Sequence, residues 1–308
     1  LNKVYDGGTV ATVTTTDNRV AGDTLTIART AAFADKNVAY DVSNNVTSKA
    51  VSVTGVSLSG TDAVNYSVAS TGSATATITP KLLTVSYSGV NKVYDGGTVA
   101  SVTTTDDRLS GDVFNINWTA SYSDRNVGGA KVVSVSGVSL SNPSGVSSVD
   151  ATNYTVASTG STTANITPKL LTVTYTGVDR VYDGGTVATV VTSDDRLTHY
   201  DSNTHAWVYD VLTISRSASF ADKNVGTGKA VSVSGVTLSG SDAANYSVVT
   251  TGSTTANITA RPLTLTYTGN AKTYDGLLTA TVNTNPTTAT GYVSGDVLTV
   301  NRLSLIHI

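Results

Sequence analysis

The residues best suited to chemistry are carboxylates grouped in a loop before a long predicted strand. Asp106, Asp107 and Asp112 lie within seven residues of one another. Clustered oxygens of this kind are typical ligands of Ca²⁺. However, no Asp-x-Asp-x-Asp run or bidentate Glu completes the set. We therefore predict no cofactor and keep these three residues as weak calcium candidates.

A second group of possible ligands lies further along the chain. His199, Asp201 and His205 fall within one insertion that the other copies of the repeat lack. Such residues can bind a transition metal, but two histidines in a solvated insertion are more typical of an ordinary loop, and we predict no metal site. Trp207, near the end of the same insertion, is a candidate contact for a partner.

The sequence Asp-Lys/Arg-Asn-Val recurs at residues 35–38, 124–127 and 222–225. A carboxylate, a cation and an amide together suggest catalysis. No His or Ser repeats beside them, so the full set of roles that catalysis needs is missing. We interpret each copy as an Asx-type turn with a local ion pair and predict that the chain is not an enzyme.

Two further motifs recur, and both indicate structure more than chemistry. In Tyr-Asp-Gly, the Asp-Gly pair supplies a turn with φ > 0, and the Tyr ring covers the end of a domain while its hydroxyl finds a backbone partner. The spacing Asp-Ala-x-x-Tyr resembles a tyrosine corner, in which a Tyr hydroxyl bonds to upstream backbone. The first motif comprises Tyr5, Asp6, Gly7, Tyr94, Asp95, Gly96, Tyr182, Asp183, Gly184, Tyr274, Asp275 and Gly276. The second is marked by Asp62 and Tyr66, Asp150 and Tyr154, and Asp242 and Tyr246.

Composition excludes several classes of function. The net charge is −3 and only 13% of residues are charged, so no basic stripe is present and nucleic acid is not an expected partner. No apolar run is long enough to span a bilayer. The absence of Cys excludes disulfides and thiolate chemistry. The absence of Met leads us to expect an internal piece of a longer protein.

The elements that must position these motifs form a tandem repeat. The four motif tyrosines are spaced by 89, 88 and 92 residues, and removing one insertion of 7, 6 or 10 residues leaves 82 in each case. A constant core with movable insertions predicts a rigid scaffold with tolerant loops. We place the repeats at residues 1–79 (first strand missing), 80–167, 168–259 and 260–302 (truncated). Residues 303–308 do not continue the pattern, and we interpret them as a non-native tail.

Within one repeat, short alternating apolar segments are separated by turn signals. Leu83, Val85 and Tyr87 share one face of the first segment, and Val133 and Val135 share one face of a later one. About six or seven such strands predict an all-β fold made of tandem immunoglobulin-like antiparallel β-sandwiches. Linkers of a few residues predict that the sandwiches form an elongated rod.

With these motifs in register, residues 1–302 resemble the YDG domain, a family of tandem repeats in large secreted or surface adhesins of bacteria that are similar to filamentous haemagglutinin. The resemblance implies an extracellular or cell-surface location, neighbouring repeats as partners and no catalytic residues. The fourth copy departs from the motif at Thr273 and Leu277.

We therefore expect a structural stalk or spacer that presents a distal adhesive region to an unknown host or bacterial ligand. The alternative is a binding module, in which loops 39–48, 142–148 and 198–207 contact a glycan or a host protein.

Overall fold

The computed structural model describes residues 1–145, 149–284 and 293–299. The fold is all-β: these residues form 25 strands and three short 3-10 turns, with no α-helix. No helix among them has the length and apolar character needed to cross a membrane. The chain divides into two compact units, residues 1–92 with 97–167, and residues 93–96 with 168–308. The predicted tail, 303–308, and residues 146–148 of the predicted loop 142–148 lie outside the described residues.

The first repeat contains one curled sheet in the order β1-β5-β4-β2, with β3 paired to β4. Its strands are β1 (Lys3–Val4), β2 (Thr26–Phe33), β3 (Ala39–Tyr40), β4 (Val46–Ser59) and β5 (Thr71–Thr79), with a 3-10 turn at Ala63–Asn65.

The second repeat has the corresponding sheet, in the order β10-β11-β13-β8, and two further strand pairs, β6 with β12 and β7 with β9. Its strands are β6 (Lys81–Leu83), β7 (Val85–Val90), β8 (Lys92–Val93), β9 (Ser101–Asp106), β10 (Asn115–Tyr122), β11 (Gly128–Ser141), β12 (Tyr154–Val156) and β13 (Thr159–Thr167), with a 3-10 turn at Asp150–Asn153.

The third repeat reproduces this plan, with the sheet β16-β23-β21-β20 and the pairs β14 with β22 and β15 with β17. Its insertion forms a separate hairpin of β18 and β19, and the fourth repeat supplies one pair, β24 with β25. The strands are β14 (Lys169–Leu171), β15 (Val173–Val178), β16 (Arg180–Val181), β17 (Thr189–Asp194), β18 (Thr198–Asp201), β19 (Ala206–Tyr209), β20 (Thr213–Phe220), β21 (Gly226–Ser239), β22 (Tyr246–Val248), β23 (Thr251–Thr259), β24 (Tyr267–Gly269) and β25 (Val282–Thr284), with a 3-10 turn at Ala243–Asn245.

The long strand of each repeat carries the core because its side chains alternate. In β11, Val133 and Val135 are buried while Ser134 between them is exposed. A register shift follows near Gly137, which has φ of 63°. Glycine adopts this left-handed conformation without strain, so the bulge can bend the strand.

The expectation of purely antiparallel pairing is wrong at the ends of each repeat. The pairs β1 with β5, β6 with β12, β14 with β22 and β16 with β23 are parallel. Parallel neighbours need a long crossover connection, and most of a repeat lies between β6 and β12. The alternation of apolar residues within one strand does not indicate whether a distant partner strand pairs with it in the parallel or the antiparallel direction.

The second repeat has two packed layers. A Cβ atom at Gly89 of β7 would lie 2.4 Å from the carbonyl oxygen of Thr163 in β13, and one at Gly160 would lie 2.3 Å from the ring of Tyr87. The two layers therefore approach each other at positions where only glycine fits.

Candidate functional site

The motif tyrosine stands at the end of its own repeat, beside the point where the chain leaves it. Tyr5 follows β1 directly and donates its amide hydrogen to the carbonyl oxygen of Thr79 at 2.8 Å. The turn after it has the predicted chemistry: the Asp6 carboxylate accepts the amide of Gly8 at 2.9 Å, and Gly7 has φ of 77°. The same positive φ occurs at Gly96, Gly184 and Gly276.

The sequence led us to expect that the tyrosine hydroxyl binds a backbone group. Instead, it donates to a carboxylate of the following repeat. The Tyr5 hydroxyl donates to Asp112, with its oxygen 3.0 Å and 2.9 Å from Oδ1 and Oδ2. Both side chains are buried. We call this contact the joint, and the aspartate that accepts it the acceptor aspartate.

The corner tyrosine of the second repeat shares the same acceptor. The Tyr154 hydroxyl donates to Asp112 Oδ2 at 2.7 Å and accepts the backbone amide of Leu109 at 2.9 Å. The predicted bond of this hydroxyl to upstream backbone is therefore present. The rings of Tyr5 and Tyr154 meet edge to face, 5.5 Å apart, a favourable arrangement for aromatic pairs.

The Asp-Lys-Asn-Val turn adds a second contact between the first two repeats. Asp35 accepts the amide of Asn37, which gives the predicted Asx turn. Its ion pair is with Lys49, not with the adjacent Lys36. Lys36 reaches Asp112 Oδ1 at 2.7 Å, and Val38 donates its amide to the fully buried Asn153 at 2.8 Å.

The joint recurs in the second unit. The Tyr94 hydroxyl donates to Asp210 Oδ2 at 2.9 Å, and the corner tyrosine Tyr246 donates to the same oxygen at 2.6 Å. The other oxygen, Oδ1, contacts Nδ1 of His199 at 2.7 Å. His199 thus belongs to the joint and not to the metal group that the sequence suggested with Asp201 and His205.

The third copy joins the third repeat to the described part of the fourth. The Tyr182 hydroxyl donates to Asp296 Oδ1 at 2.8 Å, and Lys223 Nζ lies 3.0 Å from the same oxygen. Lys223 occupies the position in its turn that Lys36 occupies in the first repeat. The joint therefore uses the same tyrosine and aspartate types in all three copies.

Two constraints favour glycine in the motif. Its turn has a positive φ, and in two copies the next repeat packs too closely against it to leave room for a Cβ atom. A Cβ at Gly184 would lie 2.6 Å from Val293 Cγ1, and one at Gly96 would lie 3.1 Å from the carbonyl oxygen of Thr198. The Tyr-Asp-Gly turn is thus pressed against the repeat that follows it.

Burial keeps the corner tyrosines of the joint protonated. Burial raises the pKa of the Tyr154 and Tyr246 hydroxyls, which remain donors at neutral pH. The carboxylate of Asp112 raises the pKa of Lys36. The Tyr182 hydroxyl, and then Lys223, lower the pKa of Asp296. The protonated hydroxyls of Tyr154 and Tyr246 therefore donate to the acceptor aspartates over short distances of 2.7 Å and 2.6 Å.

The remaining candidate residues are separated from one another. Asp106 pairs with Arg108, and Asp107 with Lys81. Among the described residues, no group of three or more His, Cys, Asp or Glu is placed to hold a metal ion. Trp207 lies on the β18–β19 hairpin and is 72% exposed, and Tyr274 of the fourth repeat is also exposed.

The aspartates of the corner motif bind the backbone of the loop before β10 or its equivalent. The sequence predicted a structural role for them but not this contact. Asp150 accepts the amide of Val113, directly after the acceptor aspartate, at 3.0 Å. Asp62 and Asp242 accept the corresponding amides of Thr24 and Val211. The corner motifs of the second and third repeats therefore fix the loop that carries the acceptor aspartate, and Asp62 fixes the equivalent loop of the first repeat.

Sequence reasoning missed the role of Asp112, Asp210 and Asp296 as acceptors. A signal was present, since a Gly-Asp pair recurs at Gly22-Asp23, Gly111-Asp112 and Gly295-Asp296. It was obscured because the insertion of the third repeat separates Asp210 from its motif.

Comparison with known families matches residues 1–75, 79–164 and 167–256 to the YDG domain. The fold and the joint thus define a tandem-repeat protein, and the chain belongs to the YDG domain family, with three matched repeats. A search of curated proteins found no significant match.

Proposed function

We propose that the chain is a stalk or spacer segment of a bacterial adhesin, whose repeats present a distal adhesive region. The observation that carries this proposal is the recurrence of the joint at Tyr5–Asp112, Tyr94–Asp210 and Tyr182–Asp296. A spacer needs each module to be fixed against the next. Within each unit, buried side-chain contacts of this kind support that role, whereas a bare linker would leave the modules free to reorient.

We further propose that each repeat is an immunoglobulin-like sandwich and that the repeats extend as a rod. The corner tyrosine and the packing of β7 on β13 support the sandwich. From strand lengths and end loops, each repeat would add roughly 35–45 Å to the rod.

Small-angle X-ray scattering of the chain in solution tests the spacer directly. Three extended repeats predict a radius of gyration of roughly 30–40 Å, on the basis of the strand rise. A compact chain of this length would give about 19 Å. A value near the compact limit would contradict the proposal.

The proposed location rests on the family resemblance. We propose a secreted or cell-surface protein whose partners are its neighbouring repeats and an unidentified host or bacterial ligand. The proposal includes neither a nucleic-acid partner nor an enzymatic activity. Localisation of the parent protein by surface labelling of intact bacteria would test it, and labelling only after lysis would count against it.

A specific observation favours a second candidate function, binding through the insertion of the third repeat. The register of β18 and β19 pairs Tyr200 with Trp207, so these side chains and Tyr209 share one face of the hairpin. All three are exposed. Exposed aromatic rings of this kind are typical contacts for a partner.

A glycan and host-protein array probed with the chain and with Trp207→Ala tests this second function. Tyr274→Ala, which removes an exposed aromatic ring outside the hairpin, is the matched control. Signals lost only with Trp207→Ala would support binding by the hairpin. Equal loss in both variants, or no signal at all, would exclude it.

A further inference from the structure

The insertion of the first repeat, residues 39–48, forms a short hairpin at the beginning of the long strand. Its strand β3 pairs antiparallel with the start of β4, which places Tyr40 opposite Val46. The carboxylate of Asp41 closes the turn, because it accepts the backbone amide of Asn45 at 2.8 Å. Tyr40 is therefore held on a hydrogen-bonded element.

The side chain of Tyr40 contacts the second repeat. Its hydroxyl donates to the carbonyl oxygen of Thr152 at 2.7 Å. Its ring packs against the hydrophobic cluster that the two repeats share, to which Ala151 of the second repeat belongs. Val38, two residues earlier, donates its amide to Asn153. Alternate residues of this segment thus bind one 3-10 turn of the next repeat.

The 3-10 turn that receives this tyrosine follows the insertion of the second repeat, residues 142–148. The side-chain oxygen of Asn142 accepts the amide of Ala151 at 3.0 Å. The carbonyl oxygen of Val149 accepts both the amide of Thr152, at 3.1 Å, and its hydroxyl, at 2.7 Å. Residues at both ends of the second insertion therefore hold the turn that the first insertion contacts.

The insertion of the third repeat also lies at a joint. A Cβ atom at Gly96, in the motif of the second repeat, would lie 3.1 Å from the carbonyl oxygen of Thr198 and 3.8 Å from the Cβ of His199. His199 in turn contacts Asp210, the acceptor aspartate of that joint, at 2.7 Å. The three insertions enter the repeat at three different places, yet the described residues of each lie at a joint or hold a turn that forms one.

We propose that the insertions stabilise the closed joints, and that Tyr40 is the residue through which the first insertion does so. The interaction surface is the hairpin of residues 39–48, and its partner is the 3-10 turn of the next repeat. Opening of the joint must break the Tyr40 bond as well as the buried bonds of Asp112, so the hydroxyl lowers the population of the open joint. Loop 39–48 therefore contacts a neighbouring repeat, where the sequence suggested a glycan or a host protein.

This proposal goes beyond the spacer function and does not depend on it, because the contacts lie between repeats whatever the parent protein presents. Thiol labelling of the complete chain tests it, whereas scattering tests the extended shape. The sequence contains no cysteine, so an introduced thiol is the only one that can react. Under native conditions, the labelling rate of a buried thiol follows the population of the state that exposes it.

Two reporter positions separate opening of the joint from opening of a repeat. Ala151→Cys places a thiol in the cluster that both repeats share, at a residue that is 7% exposed. Val135→Cys places one in β11, inside the second repeat, at a residue that is 1% exposed. A free thiol packs as a small apolar group, so both positions can accept it. Urea unfolding of each reporter establishes that it is folded.

The decisive variant is Tyr40→Phe, which removes the hydroxyl and keeps the ring. It should raise the labelling rate at position 151 roughly three- to ten-fold, the factor that corresponds to the loss of one net hydrogen bond. The rate at position 135 should change by less than about two-fold. Val42→Ala, at a fully exposed position in the turn of the same hairpin, is the matched control and should change both rates by less than about two-fold.

A second variant removes the whole insertion. It replaces residues 39–48 by Gly-Thr-Gly, the sequence that joins the same elements at 226–228 in the third repeat. Gly228 has φ of 58°, so the grafted turn keeps the glycine that this conformation favours. Labelling at position 151 should rise at least as much as in Tyr40→Phe. An unchanged rate at position 151 in Tyr40→Phe would overturn the proposal, and so would an equal rise at positions 151 and 135.

Discussion

At the scale of single residues, the joint depends on a carboxylate that accepts several donors at once. Asp112 is contacted by Tyr5, Tyr154 and Lys36, and its side chain is only 2% exposed. A buried charge is tolerated only when it is paired and hydrogen-bonded. The convergence of these donors explains why an acidic residue can stand at the boundary between two repeats.

Removal of this carboxylate should destabilise the first unit. Asp112→Ala leaves two buried hydroxyls without their acceptor, and we expect a loss of about 2 kcal/mol in the free energy of unfolding. Lys36 is about one-third exposed and can be hydrated, so its ion pair adds little. Urea unfolding followed by Trp118 fluorescence, in a Trp207→Phe background, measures the effect.

The matched control is Asp107→Ala, which removes an exposed carboxylate a few residues away. We expect it to cost less than about 1 kcal/mol. Equal losses in the two variants would show that the joint contributes nothing beyond an ordinary surface ion pair.

The stabilisation that the joint provides should also be lost at high pH. Burial raises the pKa of Tyr154 in the folded chain above that of an unfolded tyrosine, about 10. The stabilisation is therefore complete below about pH 10 and is lost as the pH rises toward the pKa of the folded state. The pKa of Lys36 is raised too, so its contribution falls in the same direction.

Unfolding free energies at pH 8 and pH 11 measure this loss, with tyrosinate absorbance as an independent record of titration. Wild-type chain should lose more stability over this interval than Tyr154→Phe, which has no hydroxyl to ionise. A larger loss in Tyr154→Phe would contradict the assigned direction.

At the scale of elements, the sequence pattern predicted the features that depend only on neighbouring residues. The alternation around Val133 and Val135 identified a core strand, and the Asp-Gly pair identified a turn with φ > 0 at Gly7. The acceptor of the Tyr5 hydroxyl is 107 residues away, in another repeat. No spacing within one motif encodes such a contact, so the sequence indicated a buried tyrosine but not its partner.

The packing of β7 on β13 provides a matched pair of glycines at equivalent positions. Gly160→Ala drives a methyl group into the ring of Tyr87, whereas Gly72→Ala meets no close atom. We expect the first substitution to cost about 1–3 kcal/mol through overpacking, and the second to stay within about 0.5 kcal/mol. Thermal and urea unfolding of the two variants measures the difference. Equal effects would show that the ring does not cover Gly160.

At the scale of the first unit as a whole, one hydrophobic cluster crosses the boundary between two repeats. It includes Phe33 and Ile78 of the first repeat together with Leu83, Phe114 and Tyr154 of the second. Modules that share a core unfold together when the interface between them is strong compared with each module's own stability. The joint is part of this shared cluster, because Tyr5 and Tyr154 both belong to it.

We therefore predict that a core substitution in the first repeat destabilises the second. Phe33→Ala should cost about 3 kcal/mol or more, and it should lower the urea midpoint reported by Trp118, which lies in the second repeat on β10. Hydrogen exchange should show matching loss of protection in β4 and β11. In a Tyr5→Ala, Asp112→Ala background, the same substitution should move the Trp118 midpoint less, since the joint is gone and only the rest of the shared cluster couples the two repeats. An unchanged Trp118 midpoint in the otherwise wild-type chain would mean that the two repeats fold independently despite their common core.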